Sequence, residues 1–334
     1  MMRFFCSNQL STSKTAVYFG GSITAGALAD SEATCWRGLL GTWLGAHFGQ
    51  FNVTNVKSSY GGTGSWYGLI RLNSDVIVNN PDVVFIDFAV NDTADDGTGT
   101  RPNGFAPAAE AVIRNIRTAF PNAKIVIWIF TWPDNYSHLS NRTSRDKWIN
   151  LAAYYGVDIY RWDQYLESLM GTGYTDVMVE TYFGTDVPHT VHPSQLGHTA
   201  AFNLAKYKFA NFDDGYGALP SRYFAESEDY EQTPIIRNGT DNDGETGIWS
   251  TSGNMRVSSS ADSTITYTGT FCSFGLDYNN TASGVVAWSV DGGAYTNLTL
   301  DVKPVALWNG TRAVHTVVFK VVSGTASINK FMAI

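Results

Sequence analysis

Val17-Tyr18-Phe19-Gly20-Gly21-Ser22-Ile23-Thr24-Ala25-Gly26 runs three apolar residues into two glycines, then presents a serine before a second small-residue turn. An apolar run closed by Gly-Gly predicts a buried strand leaving a sheet at its C-terminal edge. Glycine tolerates the sharp turn needed there because it has no Cβ. That edge is where open α/β sheets bind ligands, so Ser22 is a candidate reactive group. The same residues also read as a strand-to-helix turn in which Ser22 only caps the next helix. The spacing is not Gly-x-Ser-x-Gly, which excludes the nucleophile elbow of α/β hydrolases.

Outward from this stretch, the first two-thirds of the chain alternates strands and helices. Trp36, Leu39, Leu40, Trp43, Leu44 and Phe48 form one apolar helix stripe, followed by a short strand around Phe51–Val56. Val83 to Ala89 and Lys124 to Phe130 are apolar enough for strands buried on both faces. Between them Ala109, Val112, Ile113, Ile116 and Phe120 mark a helix that Pro121-Asn122 ends. A helix over Ser144–Tyr155, a fifth strand at Val157–Tyr160 and a last helix from His192-Pro193 towards Phe209 complete the series. Such alternation predicts parallel strands joined by right-handed crossovers, a three-layer α/β/α sandwich.

After about Phe212 the pattern changes. The expected division is a domain over 1–214, a linker or packing segment over 215–234, and a unit over 235–334. The last unit has about eight short strand-like runs broken by turn signals, among them the hairpin turn Asp291-Gly292-Gly293. It predicts an all-β sandwich or jelly roll, separable from the first domain.

At 334 residues, 44% hydrophobic and 16% charged, the chain has the composition of a globular protein. A net charge of −8 supplies no basic footprint, which argues against nucleic-acid and membrane partners. No apolar run nears the roughly 18 residues that span a bilayer. Cys6, Cys35 and Cys272 are too few and scattered for a disulfide framework. No zinc-like spacing of ligands is present, so neither metal nor cofactor is expected. Met1 to Lys14 lacks the apolar core of a signal peptide, which leaves export by another route, a virion-associated position or the cytoplasm.

Three further blocks fall at strand ends or helix starts. Ala89-Val90-Asn91-Asp92-Thr93 closes the third buried strand, where an Asn amide can enter the crevice that holds Ser22. Gly61-Gly62-Thr63 brings bare backbone N–H groups to the same edge, and His192-Pro193-Ser194-Gln195-Leu196-Gly197-His198 places a histidine just before a helix. Singly, an Asn-Asp pair is usually a turn and a lone histidine is usually structural.

Together these blocks resemble the SGNH (GDSL-like) hydrolase superfamily over about residues 14–210. The resemblance implies a flavodoxin-like parallel sheet and a serine hydrolase. Gly20-Gly21-Ser22 matches the Gly-Asp-Ser block with Gly21 in place of Asp, and Ala89 stands where Gly-x-Asn-Asp has its glycine. By the resemblance Ser22 is the nucleophile and His192 its general base. The oxyanion donors it implies are the Ser22 and Gly62 N–H groups and the Asn91 amide.

The family's orienting acid lies three residues before the histidine, where this chain has His189. An imidazole cannot fix the base's tautomer and stabilise an imidazolium as a carboxylate does. Three readings stay open: Asp186 substitutes, a backbone carbonyl serves a Ser-His dyad, or the site is impaired. Trp66, Tyr67, Trp132 and His189 are candidate substrate contacts, with core or rim positions as the plainer reading of each aromatic. Within the superfamily, an appended β-domain accompanies polysaccharide O-acetyl esterases, which makes an acetylated glycan the expected partner. The alternatives are a lipase or thioesterase, a glycan-binding protein with a degenerate hydrolase domain, and a virion or cell-surface component such as a phage tail protein.

Overall fold

Strand β1 (Ser13–Gly20) shows why the first sheet is buried on both faces. Val17 and Phe19 enter one apolar cluster, and Ala16 and Tyr18 enter another on the opposite side. The computed structural model describes residues 13–47, 52–92, 105–130, 133–134, 138–139, 143–171, 175–184, 191–210, 218–224, 227–278, 283–300 and 304–334. With β1 stand β2 (Asn52–Ser59), β3 (Val83–Asp87), β4 (Lys124–Ile129) and β5 (Asp158–Arg161). They form a parallel sheet in the order β2-β1-β3-β4-β5. This is the flavodoxin-like order, whose direction reverses between β1 and β3.

Helices cover both faces. Those of α2 (Ser65–Asp75), α3 (Phe105–Ala119) and α4 (Thr143–Tyr155) pack on the face that holds Val17, Phe19, Ile86 and Ile127. Those of α1 (Trp36–His47), α5 (Trp162–Met170), α6 (Asp176–Tyr182) and α7 (Gln195–Ala210) cover the face of Tyr18, Phe85 and Trp128. On that second face Trp128 stacks on Phe130, and Trp36 lies against both. No helix among the described residues is long and apolar enough to cross a membrane.

The sheet register sets the working edge. Gly20 pairs with Ser59 on one side and Asp87 on the other, so β1, β2 and β3 end at one level. Arg71 of α2 lies buried beneath that edge and donates to the Gly20 carbonyl at 2.9 Å and the Ser58 carbonyl at 3.1 Å. Its guanidinium sits 4.5 Å from the centre of the Phe19 ring. Planar and delocalised, it can stack on an aromatic and hydrogen-bond in its own plane at once.

The C-terminal part is antiparallel. It comprises β6 (Ile235–Asn238), β7 (Gly244–Thr246), β8 (Ser250–Ser252), β9 (Met255–Ser258), β10 (Thr264–Tyr278), β11 (Val285–Val290), β12 (Thr296–Thr299), β13 (Val305–Ser323) and β14 (Ala326–Ala333). These nine strands of the described residues form one hydrogen-bonded network around a core of Tyr267, Phe274, Phe319 and Phe331. Asp291 (φ 51°) and Gly292 (φ 74°) both take the left-handed conformation that the Asp-Gly turn requires.

The two parts share one core. Cys272, Met332 and Ile334 of the antiparallel part belong to the same buried cluster as Leu69, Ala108 and Trp148. The Trp66 indole N–H crosses to donate to Ser273 Oγ at 2.7 Å. The stretch between the sheets is also held down. Glu110 of α3 accepts the Tyr223 and Phe224 N–H groups, and Arg114 pairs with Glu231 at 2.7 Å. A chain ended at Asp214 would uncover the surface that Cys272, Met332 and Ile334 close. That fragment is expected to aggregate or to lose turnover of a small ester. A soluble, fully active fragment in size-exclusion chromatography and a p-nitrophenyl acetate assay would show that this shared core is dispensable.

Candidate active site

Ser22 begins a single helical turn, Ser22–Ala25, directly after β1. The first N–H groups of a helical turn have no acceptor within it, so the Ser22 N–H is available to a ligand. Crowding against backbone dictates Gly20, and Gly21 faces the Asn91 side chain. A Cβ on Gly20 would lie 2.8 Å from the Asp87 carbonyl oxygen, and one on Gly21 would lie 2.3 Å from Asn91 Nδ2.

Around this turn the second and third strands deliver their own loops. Tyr60 N–H donates to the Gly20 carbonyl at 3.0 Å, which brings Gly61 and Gly62 alongside Ser22. A Cβ on Gly61 would be 3.7 Å from Ser22 Cβ, and Gly62 has φ 70°, a left-handed conformation suited to glycine. After β3 the chain turns tightly through Asn91. Its amide donates one N–H to the Thr63 carbonyl at 2.9 Å, and an amide nitrogen carries two.

Asp92, the next residue, is fully buried. One carboxylate oxygen accepts the Ser65 N–H at 2.7 Å and the Ser65 hydroxyl at 3.1 Å, and the other accepts the Trp148 indole at 2.8 Å. It thus caps α2, anchors α4 and fixes the turn that carries Asn91.

His192 arrives from the opposite face of the sheet. Phe183 and Pro193 form an antiparallel bridge, and the Gly184 N–H donates to the His192 carbonyl at 3.1 Å. Ser194 Oγ accepts the Gly197 N–H at 3.2 Å at the start of α7. Gln195 clamps the far side, accepting from the Asp30 N–H and donating to the Thr34 carbonyl. The result is His192 Nε2 standing 2.8 Å from Ser22 Oγ. An imidazole nitrogen at that distance can take the hydroxyl proton as the oxygen attacks a carbonyl.

Two buried titratable groups support the turn from below. His198 accepts the Trp36 N–H on Nδ1 at 3.4 Å, and its Nε2 faces the Ala27 carbonyl at 2.9 Å, which assigns the proton to Nε2. Burial lowers its pKa, so it stays neutral and ties α7 to the loop after Ser22. Asp87 accepts the Thr24 hydroxyl at 2.8 Å and the Thr24 N–H at 3.2 Å. Burial pushes its carboxyl up to about 7, although both Thr24 hydrogen bonds pull the other way.

Ser22, His192, Gly62 and Asn91 are therefore brought together from four separate segments. Tyr67 is half-buried beside them, edge-on to Tyr60 with ring centres 5.3 Å apart, and Tyr60 is 44% exposed. Trp66 is not part of this rim: at 5% exposure its ring lies in the core and its N–H is committed to Ser273. Ala89, which stands where the resemblance has glycine, is also a core residue. Asp186, His189 and Trp132 lie outside the described residues. Tyr60, Asp87, Asp92 and His198 were not singled out from the sequence, although Asp92 and His198 stand inside quoted blocks.

A family model described as the GDSL-like lipase/acylhydrolase family matches residues 18–200. Among solved structures, the chain is similar to a two-domain esterase active on acetylated mannans, with a TM-score of 0.75 at 17% identity over 99% of this chain and 94% of that one. The same esterase co-crystallised with mannopentaose gives a TM-score of 0.77 at 18% identity over the same shares. No curated protein matches the chain.

Two outcomes are expected from this geometry. Gly21→Ala should push the Asn91 amide off the Thr63 carbonyl and lower kcat for an acetyl ester by roughly 10²-fold with little change in melting temperature. Unchanged kcat would separate Asn91 from the reaction. For Asp87, the folded-state pKa of about 7 lies well above the ordinary aspartate value of 3.8. Its contribution to stability is then complete at low pH and is lost as pH rises towards 7, on the order of 1 kcal/mol per pH unit. Asp87→Asn should flatten the fall in melting temperature between pH 4 and pH 8. Parallel curves for the two proteins would place the ionisation elsewhere.

Proposed function

Because the chain belongs to the GDSL-like lipase/acylhydrolase family, we propose that it is a serine esterase that removes O-acetyl groups from a polysaccharide or oligosaccharide. The observation that carries the reading is the 2.8 Å approach of His192 Nε2 to Ser22 Oγ at the sheet's switch point. In this mechanism His192 takes the Ser22 proton as Oγ attacks the acetyl carbonyl. The Ser22 and Gly62 N–H groups and the free N–H of Asn91 receive the oxyanion. His192 then protonates the departing sugar oxygen, leaving an acetyl-enzyme. A water molecule, deprotonated by His192, releases acetate and restores the serine.

The glycan part of the proposal rests on two supports. One is the likeness of both parts of the chain together to an esterase active on acetylated mannans. The other is the Tyr60–Tyr67 rim next to the oxyanion glycines, whose aromatic faces suit the C–H face of a sugar. Asp186 is proposed to orient His192, with His189 and Trp132 lining the approach. Nothing in the fold or the matches speaks for a virion role, and none is proposed.

Acetate release from acetylated mannan and acetylated xylan, with p-nitrophenyl acetate as a small control, tests the reading. Wild type should act on the control and on at least one polymer, and Ser22→Ala should retain under a few per cent of that turnover. Asp186→Asn should lower kcat by about 10⁴ if the acid stabilises the imidazolium. A wild type without esterase activity, or a fully active Ser22→Ala, would refute the proposal.

A further inference from the structure

A second concavity, lined by none of the residues around Ser22, opens where the two parts of the chain meet. Its volume is about 580 Å³, within the range of about 300–1,000 Å³ usual for clefts that hold small ligands. Pro107 at the start of α3 and Lys147 of α4 form one wall, and Asn309 and Thr311 of β13 form the other. Phe224 and Tyr230, from the segment between the sheets, complete the lining. Helices α3 and α4 follow β3 and β4, so both begin at the sheet edge that carries Ser22.

The chemistry of this lining selects against most ligand classes. One ammonium, Lys147, and one carboxylate, Asp229, cancel, which favours neither a phosphate nor a cation. Among the described residues no cluster of side chains could hold a metal ion. What remains is an acceptor (Asp229) and two groups that both donate and accept (Asn309 and Thr311), set against the apolar surfaces of Pro107 and Phe224. Hydroxyl groups on one side and C–H groups on the other are the complement of that surface. The site is also braced: the Tyr230 hydroxyl is buried and hydrogen-bonds with Asn309 and Ser273, and Ser273 accepts the Trp66 indole.

We infer that this cleft binds a neutral saccharide segment of the substrate polymer, apart from the sugar whose ester is cut. The inference rests on the glycan reading of the preceding subsection. Contacts far from the reacting ester bind substrate and transition state alike, so the cleft lowers KM for the polymer and leaves the small ester untouched.

Two variants and one binding measurement test it. Thr311→Trp fills the cleft from an exposed strand position, and Asp229→Asn removes its acceptor charge without changing shape. KM for acetylated polymer should rise roughly tenfold in Thr311→Trp and a few-fold in Asp229→Asn, a loss of the order of one substrate contact surface. Both parameters on p-nitrophenyl acetate should match wild type. In the Ser22→Ala background, at least one of the unacetylated pentasaccharides of mannose, xylose and glucose should bind in calorimetry, and Thr311→Trp should abolish that binding. No binding by any of the three, or equal binding with and without Thr311→Trp, overturns the inference. If wild type hydrolyses no acetyl ester yet the pentasaccharide result holds, the cleft stands and the esterase reading falls. Hydrolysis with wild-type polymer KM in both variants removes the cleft alone.

Discussion

Three donors converge on the buried Asp92 carboxylate, and the arrangement around Ser22 depends on it. A carboxylate removed from water is tolerable only when its oxygens are hydrogen-bonded, and here the partners come from two different helices. The first cap of α2, the indole of α4 and the turn that presents Asn91 are thereby set relative to one another. Arg71 does the corresponding work one layer lower, joining the ends of β1 and β2 through their carbonyls. Rigid placement of this kind lets donors meet developing charge without reorganising.

Much of this was legible in the sequence, and for a plain reason. Strands buried on both faces must be apolar without interruption, so Val17–Phe19, Val83–Ile86 and Ile125–Ile129 declared themselves. Of the glycines at this edge, Gly20 marks a point where backbone approaches backbone and Gly62 one where φ is positive. The fate of neighbouring aromatics was not legible. Trp66 and Tyr67 are adjacent, but one helical residue is a rotation of about 100°, which sends one ring into the core and the other to the rim. Nor does any periodicity reveal a polar side chain whose partner is remote: Asp92 meets Trp148 and His198 meets Ala27 only after folding.

The same blindness applies to the boundary between the two parts. The parallel sheet ends at Arg161 and the antiparallel strands begin at Ile235, on either side of the change of pattern near Phe212. A pattern change reports local structure, however, and says nothing about which surfaces meet. Cys272 and Met332 look like interior residues of a sandwich, and they are interior to the core they share with α2, α3 and α4.

The contact between Gly21 and Asn91 bears on how freely position 21 can vary. A Cβ there meets only the far end of the Asn91 side chain, so a larger residue is admitted by moving that amide and not the backbone. A change at 21 and a change at 91 act on the same amide, so their effects on turnover should be non-additive. Position 21 is then a place where the chain can alter the hold on Asn91 while β1 and the turn at Ser22 stay as they are.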